Sequence, residues 1–80
     1  MRRMDRVAAV ALFIRIVEMG SFSKAAAEFG ITQPTATKAV AAMEARLGVR
    51  LLHRTTRGVS PTEVGSLYYE KCKTIAHEIE

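Results

Sequence analysis

Apolar residues recur at helical spacing over residues 5–19, where Val7, Val10, Phe13, Ile14 and Val17 form a stripe expected to face the core. Ala8, Ala9, Ala11, Leu12 and Ile16 fill much of the remaining circumference. A helix apolar nearly all round is usually covered on more than one side. An 80-residue chain has little of its own to cover the second side, so Leu12 and Ile16 are expected to meet a second copy.

A second helix is expected over 23–29, capped by Ser23 and stopped by Gly30 in a left-handed conformation. Thr32 then caps a third helix over 33–47, with Pro34 in the first turn, where its missing N–H does no harm. Ala36, Val40, Met43 and Leu47 step by four, three and four and predict its buried stripe. Gln33, Thr37, Lys38 and Ala41 then fall on an exposed face, and Gly48 ends the helix. Residues 50–59 read as two short strands around a turn near 56–58. Thr62 caps a last helix, or Ser60 does so in a capping box with Glu63. Along it Tyr68, Cys72, Ile75 and Ile79 repeat by four, three and four, a short heptad seam suited to zipping onto a copy of itself.

These elements predict a mainly α fold: a winged helix-turn-helix with a two-stranded β-wing and a long C-terminal linker or dimerisation helix. Residues 1–62 are expected to form the winged domain and 63–80 a truncated linker helix.

Charge sharpens that picture. The net charge is +4 and the pI about 9.7, which fits a nucleic-acid partner. The positive charge peaks in the wing, where Arg50, Arg54 and Arg57 occur with no acidic residue between 49 and 59. One cysteine, Cys72, excludes an intrachain disulfide and suggests a reducing compartment. Arg2, Arg3 and Arg6 ahead of the apolar run 7–14 mimic a signal peptide, but Arg15 and Glu18 follow too soon and no small-x-small site comes after. No run approaches the roughly 20 apolar residues of a membrane span.

Other chemistry is weaker. The sequence has no glycine-rich phosphate loop, no nucleophile with a plausible base and no clustered carboxylate pair, so no enzyme is expected. No metal site or cofactor is expected either. Cys72 and His77 stand five helical positions, about 140°, apart and do not converge on one ion. Cys72 reads as a small buried hydrophobe rather than a redox switch. His53 is expected at the wing surface, and Phe22, Tyr68 and Tyr69 in packing rather than on bases.

The residues Phe13 and Val17, Gly20-Ser-Phe-Ser23, Ala25-Ala26, Ile31-Thr-Gln-Pro34, Thr37-Lys38, Glu44, Leu47-Gly48, Leu51 with Arg54, and Thr62 with Gly65 form an ordered set. In that set the chain resembles the N-terminal DNA-binding region of LysR-type transcriptional regulators, over nearly its whole length. The resemblance implies sequence-specific binding of double-stranded DNA by a homodimer joined through the C-terminal helix, in the cytoplasm at the bacterial nucleoid. Carried over by position, Ser23, Thr32, Gln33, Pro34, Thr35, Thr37 and Lys38 are expected at or near DNA, with helix 33–47 in the major groove. Arg54, Thr56 and Arg57 are expected at the flanking backbone or minor groove. Gln33 can pair with an adenine edge, and Thr37 can meet a thymine methyl or a phosphate. The dimer is expected to use Leu12, Ile16, Tyr68, Cys72, Ile75 and Ile79.

Two positions depart from the pattern. Lys38 stands where arginine is usual and keeps the charge without the planar fork that grips a guanine edge. Leu52 stands where phenylalanine is usual and remains an apolar anchor. Family members continue into an effector-sensing domain; none of its sequence is present, so no small-molecule effector site is expected in this chain. A protein-interaction module on the same fold, without a DNA role, is the alternative.

Overall fold

The computed structural model describes residues 5–79, with side chains described through Ile75. The elements run α1 (Arg6–Met19), α2 (Phe22–Glu28), α3 (Gln33–Leu47), β1 (Leu52–Thr55), β2 (Gly58–Pro61) and α4 (Glu63–Ile79). The two strands form an antiparallel hairpin in which Leu52 faces Pro61 and Thr55 faces Gly58. This is the expected winged helix-turn-helix, with the wing between α3 and α4.

Local chemistry sets most boundaries. Asp5 caps α1 by accepting from the Ala8 N–H at 2.8 Å. Thr32 caps α3 by accepting from the Thr35 N–H at 3.2 Å, and Pro34 lies in the first turn, as expected. Helix α2 differs. Its cap is Ser21, which accepts from the Lys24 N–H at 3.1 Å, so Ser23 lies inside the first turn and does not cap. A helix begins where a side-chain oxygen reaches the N–H three residues on, and both serines offer one; the backbone route out of Gly20 selects Ser21. Gly30 takes the left-handed conformation expected of it, at φ +68°, just beyond Phe29.

Thr62, not Ser60, caps α4: its oxygen accepts from the Gly65 N–H at 2.9 Å. The Thr62 hydroxyl also donates to the Arg50 carbonyl, and its N–H to the Leu51 carbonyl, at 2.6 and 3.0 Å. Ser60 instead faces His53, with 3.2 Å between Oγ and Nε2. One threonine thus ties the start of the last helix to the entrance of the wing.

The core is built from Ala9, Leu12, Phe13 and Ile16 of α1, Phe22, Ala25 and Ala26 of α2, Ala36, Val40 and Met43 of α3, and Leu51, Leu52 and Val59 of the wing. On α1 the expected stripe is turned by about 100° around the helix axis. Val7 is 80% exposed, and Val10, Ile14 and Val17 are half-buried, while Leu12 and Ile16 have no exposed surface. Leu12 and Ile16 therefore pack inside their own protomer and cannot meet a second copy. Because α1 is apolar on every side, its pattern could not choose a face; contact with α2, α3 and α4 chose it. The α3 stripe holds for Ala36, Val40 and Met43, but Leu47 is exposed at the last turn, beyond the elements that cover the others.

Candidate nucleic-acid interface

The exposed start of α3 and the wing lie on one side of the molecule, joined by Arg54. Its guanidinium carbon sits 4.4 Å over the Phe22 ring, a cation–π contact with the start of α2. From there Nη2 donates to the Thr37 hydroxyl at 2.9 Å. Arg54 thus touches α2 and α3 from β1, and it is held rather than free. Phe22 is buried, so the platform beneath the guanidinium is rigid.

Two hollows flank Arg54. One, of about 530 Å³, is lined by Ser21, Ser23, Lys24 and Gln33 on the helix-turn-helix and by Arg57 and Thr56 of the wing turn. The other, of similar volume, lies between α3 and β1 and is lined by Thr37, Ala41, Glu44, Arg50 and His53. The first collects Lys24, Arg54 and Arg57 around one concavity without an acidic side chain. Clefts lined by one sign of charge concentrate counter-charge, here anionic.

The expected site residues distribute as follows. Thr32, Gln33, Pro34 and Lys38 are exposed on the first turns of α3, and Thr35 and Thr37 are half-buried there. The Thr32 hydroxyl donates to the Thr35 hydroxyl at 2.8 Å, so the two threonines order each other. Ser23 is exposed beside Ser21, their hydroxyls 3.2 Å apart. Thr56 and Arg57 form the exposed wing turn, where the Arg57 N–H bonds to the Thr55 hydroxyl at 3.2 Å. Gly58 ends that turn with φ +137°, and a Cβ there would come within 2.7 Å of the Gly20 carbonyl oxygen. The wing therefore lies against the α1–α2 turn, with Val59 N–H reaching the same carbonyl at 3.4 Å.

Three contributors escaped the sequence reading. Glu44 turns its carboxylate away from the exposed face of α3, and Oε2 accepts from the Leu51 and Leu52 N–H groups at 2.8 and 3.2 Å. It aims the wing; Arg50 approaches the same oxygen only to 3.8 Å and stays largely in solvent. Phe22 supports Arg54, and Lys24 joins the cleft. A signal existed for Glu44, a single acid beside the buried stripe, but the donors it accepts from are revealed only when the chain folds back.

A second polar assembly joins α1, α2 and α4. Arg15 donates to Glu28 through Nε and Nη2 at 2.9 and 3.0 Å, and to Glu18 through Nη1 at 2.7 Å. The Tyr69 hydroxyl donates to Glu18 at 2.7 Å, linking α4 to α1. That phenol, then Arg15, holds the Glu18 carboxyl below the usual carboxylate range.

The expected dimer residues of α4 divide between two faces. Tyr68 turns inward, its ring edge-on to Phe13 at 5.6 Å, and Cys72 is buried, which pushes its thiol pKa up. Ile75 is 57% exposed; the Ile79 side chain lies outside the described residues. The open apolar face of α4 carries Val64, Leu67 and Ile75 instead. Among the described residues no group of His, Cys, Asp and Glu could hold a metal ion. No described helix is long and apolar enough to cross a membrane.

Residues 7–66 match the family model of bacterial regulatory helix-turn-helix proteins of the lysR family. The chain belongs to that family. An HTH-type transcriptional regulator of Xanthomonas campestris pv. campestris is 48% identical over 69 residues, covering 86% of this chain and 20% of the relative. An HTH-type transcriptional repressor of Pseudomonas aeruginosa is 42% identical over 77 residues, covering 96% of this chain and 24% of the relative. The lysR-family chain thus spans between a fifth and a quarter of the length of these relatives. Its fold matches the BenM DNA-binding domain in complex with catB site 1 DNA at a TM-score of 0.87, with 29% identity, covering 94% of this chain and 81% of that one. Such agreement over α1 to α4 extends the family assignment from sequence to architecture.

Proposed function

We propose that this lysR-family chain binds double-stranded DNA, with α3 in the major groove and the wing on the flanking backbone or minor groove. The observation that carries the reading is the acid-free cleft uniting Lys24, Gln33, Arg54 and Arg57 beside the exposed start of α3. Helix α3 presents Gln33, Pro34 and Lys38 outward, at the end of a recognition helix that enters a groove first. The fold match to a domain crystallised on DNA supports the same placement.

Roles follow from placement. Lys24 and Arg57 are free to meet phosphates, which supply most of the affinity, and Lys38 on the exposed face of α3 meets the groove. Gln33 reads a base edge, with adenine the natural partner for its paired amide groups. The caps Ser21 and Thr32 order the helix starts that lie against the backbone. In the whole regulator the chain acts as a homodimer, with Val64, Leu67 and Ile75 of α4 meeting a second copy and Val7 of α1 at the margin. A cytoplasmic location at the nucleoid accompanies a DNA partner.

Affinity for a duplex measured against salt tests the reading. A log–log slope equivalent to about 4 or more phosphates is expected. A flat response overturns DNA binding and transfers the weight to a protein partner.

A further inference from the structure

We infer that Arg54 acts on base reading through Thr37: it biases the Thr37 hydroxyl toward donating its hydrogen bond into the major groove, so that cytosine is disfavoured at the base Thr37 faces. The inference rests on the DNA reading above and deepens it.

A threonine hydroxyl carries one proton and two lone pairs, and in isolation it rotates to suit either a donor or an acceptor. At Thr37 that freedom is narrowed, because one of the two lone pairs is already taken. One lone pair receives Nη2 of Arg54 at 2.9 Å, and no other side-chain hydrogen bond to the hydroxyl occurs among the described residues. Guanidinium has donors only, so the hydroxyl proton cannot turn back toward it. The cation also polarises the O–H bond, which strengthens it as a donor and opposes the approach of a second donor.

The arginine is braced on two sides. Its guanidinium lies 4.4 Å over the Phe22 ring, and Phe22 is itself buried among the core residues of α2 and the wing. The side chain is therefore clamped by a platform beneath and an acceptor ahead. Thr37 lines the hollow between α3 and β1, and Arg54 borders it too. A positive charge here alters which atoms the neighbouring hydroxyl accepts, in addition to attracting phosphate.

Base chemistry converts that polarity into a preference. In the major groove guanine offers N7 and O6, adenine N7 and thymine O4 as acceptors; cytosine offers only its amino donor. A hydroxyl biased toward donating satisfies the first three, and offers cytosine's amino group only its remaining lone pair, weakened by the neighbouring cation. Arg54 is thus a positioning residue for base reading, and Thr37 the residue that contacts the base.

The experiment uses the 80-residue chain and a duplex selected from a randomised pool, then four duplexes that differ only at the base protected by Thr37. The expected profile disfavours cytosine by about fivefold to tenfold, the scale of one hydrogen bond won or lost. Arg54→Met and Thr37→Ala each abolish that bias, and the double variant loses no more than either alone. Arg57→Met, which removes a charge without touching Thr37, lowers the salt slope by about one and keeps the profile. Unchanged thermal midpoints for these variants exclude unfolding as the cause. If Arg54→Met keeps the wild-type profile and behaves like Arg57→Met, Arg54 is a phosphate contact only and the inference falls. A wild-type chain with no salt-dependent affinity for any duplex overturns the DNA reading itself, and this inference with it.

Discussion

Gly65 of α4 lies against the carbonyl of Leu51, and a Cβ at that position would overlap the carbonyl oxygen and carbon. The contact fixes how deeply the last helix seats beneath the wing, beside the Thr62 bonds to Arg50 and Leu51. Backbone cannot yield as a flexible side chain does, so Gly65→Ala must displace either the helix or the wing. Overpacking of this kind costs about 1–3 kcal/mol or more. We expect Gly65→Ala to destabilise the chain by at least about 2 kcal/mol in urea unfolding, and a loss below about 0.5 kcal/mol would show that α4 shifts freely.

Glu44 aims the wing through two backbone N–H groups, those of Leu51 and Leu52. Glu44→Ala leaves both part-buried donors without their acceptor, a change expected to cost about 2–3 kcal/mol. DNA affinity should fall further than stability alone accounts for, because β1 loses its alignment with α3. Circular dichroism melting with a salt-titrated binding curve checks both effects; equal affinity at a temperature where both proteins are folded would refute the aiming role.

Lys38 stands exposed on the second turn of α3, where an arginine would present a planar pair of donors. Lys38→Arg should leave the salt slope unchanged, since the charge is the same. It should raise preference for guanine at one position, by about fivefold to a hundredfold for a bidentate contact. Selection from a randomised duplex pool measures this, and an identical consensus for both proteins would contradict a groove-facing Lys38.

The open face of α4 joins Val64, Leu67 and Ile75, which are 45, 66 and 57% exposed. Placing a charge there blocks apolar contact without disturbing the core. Ile75→Glu is expected to yield monomers in sedimentation at concentrations where the parent chain is dimeric. Cys72→Ser should leave the mass unchanged, since Cys72 faces inward. If Ile75→Glu sediments as the parent does, α4 is not the joining helix.

The Tyr69 hydroxyl is the largest cause of the lowered Glu18 pKa, with Arg15 second. A carboxyl depressed in the folded state adds stability above its unfolded pKa and loses it as pH falls through the folded value. Tyr69→Phe should raise the Glu18 titration midpoint, read by carboxyl NMR, and shift acid unfolding slightly upward in pH. The stability effect should stay small, because the group is solvent-exposed and well screened. An unmoved midpoint would mean that Arg15 alone holds the carboxylate.

Much of this fold follows from local signals. The α3 boundaries, the Thr32 cap with Pro34 behind it, and the left-handed Gly30 each depend on atoms within a few residues, so they could be read directly. The cap of α2 could not. Ser21 and Ser23 are locally equivalent, and the path from α1 decides between them. The wing arginines were visible as an acid-free cluster, but the clamp of Arg54 between Phe22 and Thr37 joins residues 17 and 32 positions away from it.

The sequence by itself determined the order of elements, the Thr32 cap of α3 and the concentration of positive charge in the wing, because spacing, local capping and charge are properties of neighbours along the chain. It also carried the lysR-family membership. Tertiary structure alone decided which side of α1 is core, which face of α4 is open and what Arg54 holds. An all-apolar helix buries whichever face its neighbours cover, which is why Leu12 and Ile16 vanish into the interior while Val7 stays in solvent. A long arginine takes whichever platform and acceptor the fold brings within reach, and here these are a ring on α2 and a hydroxyl on α3.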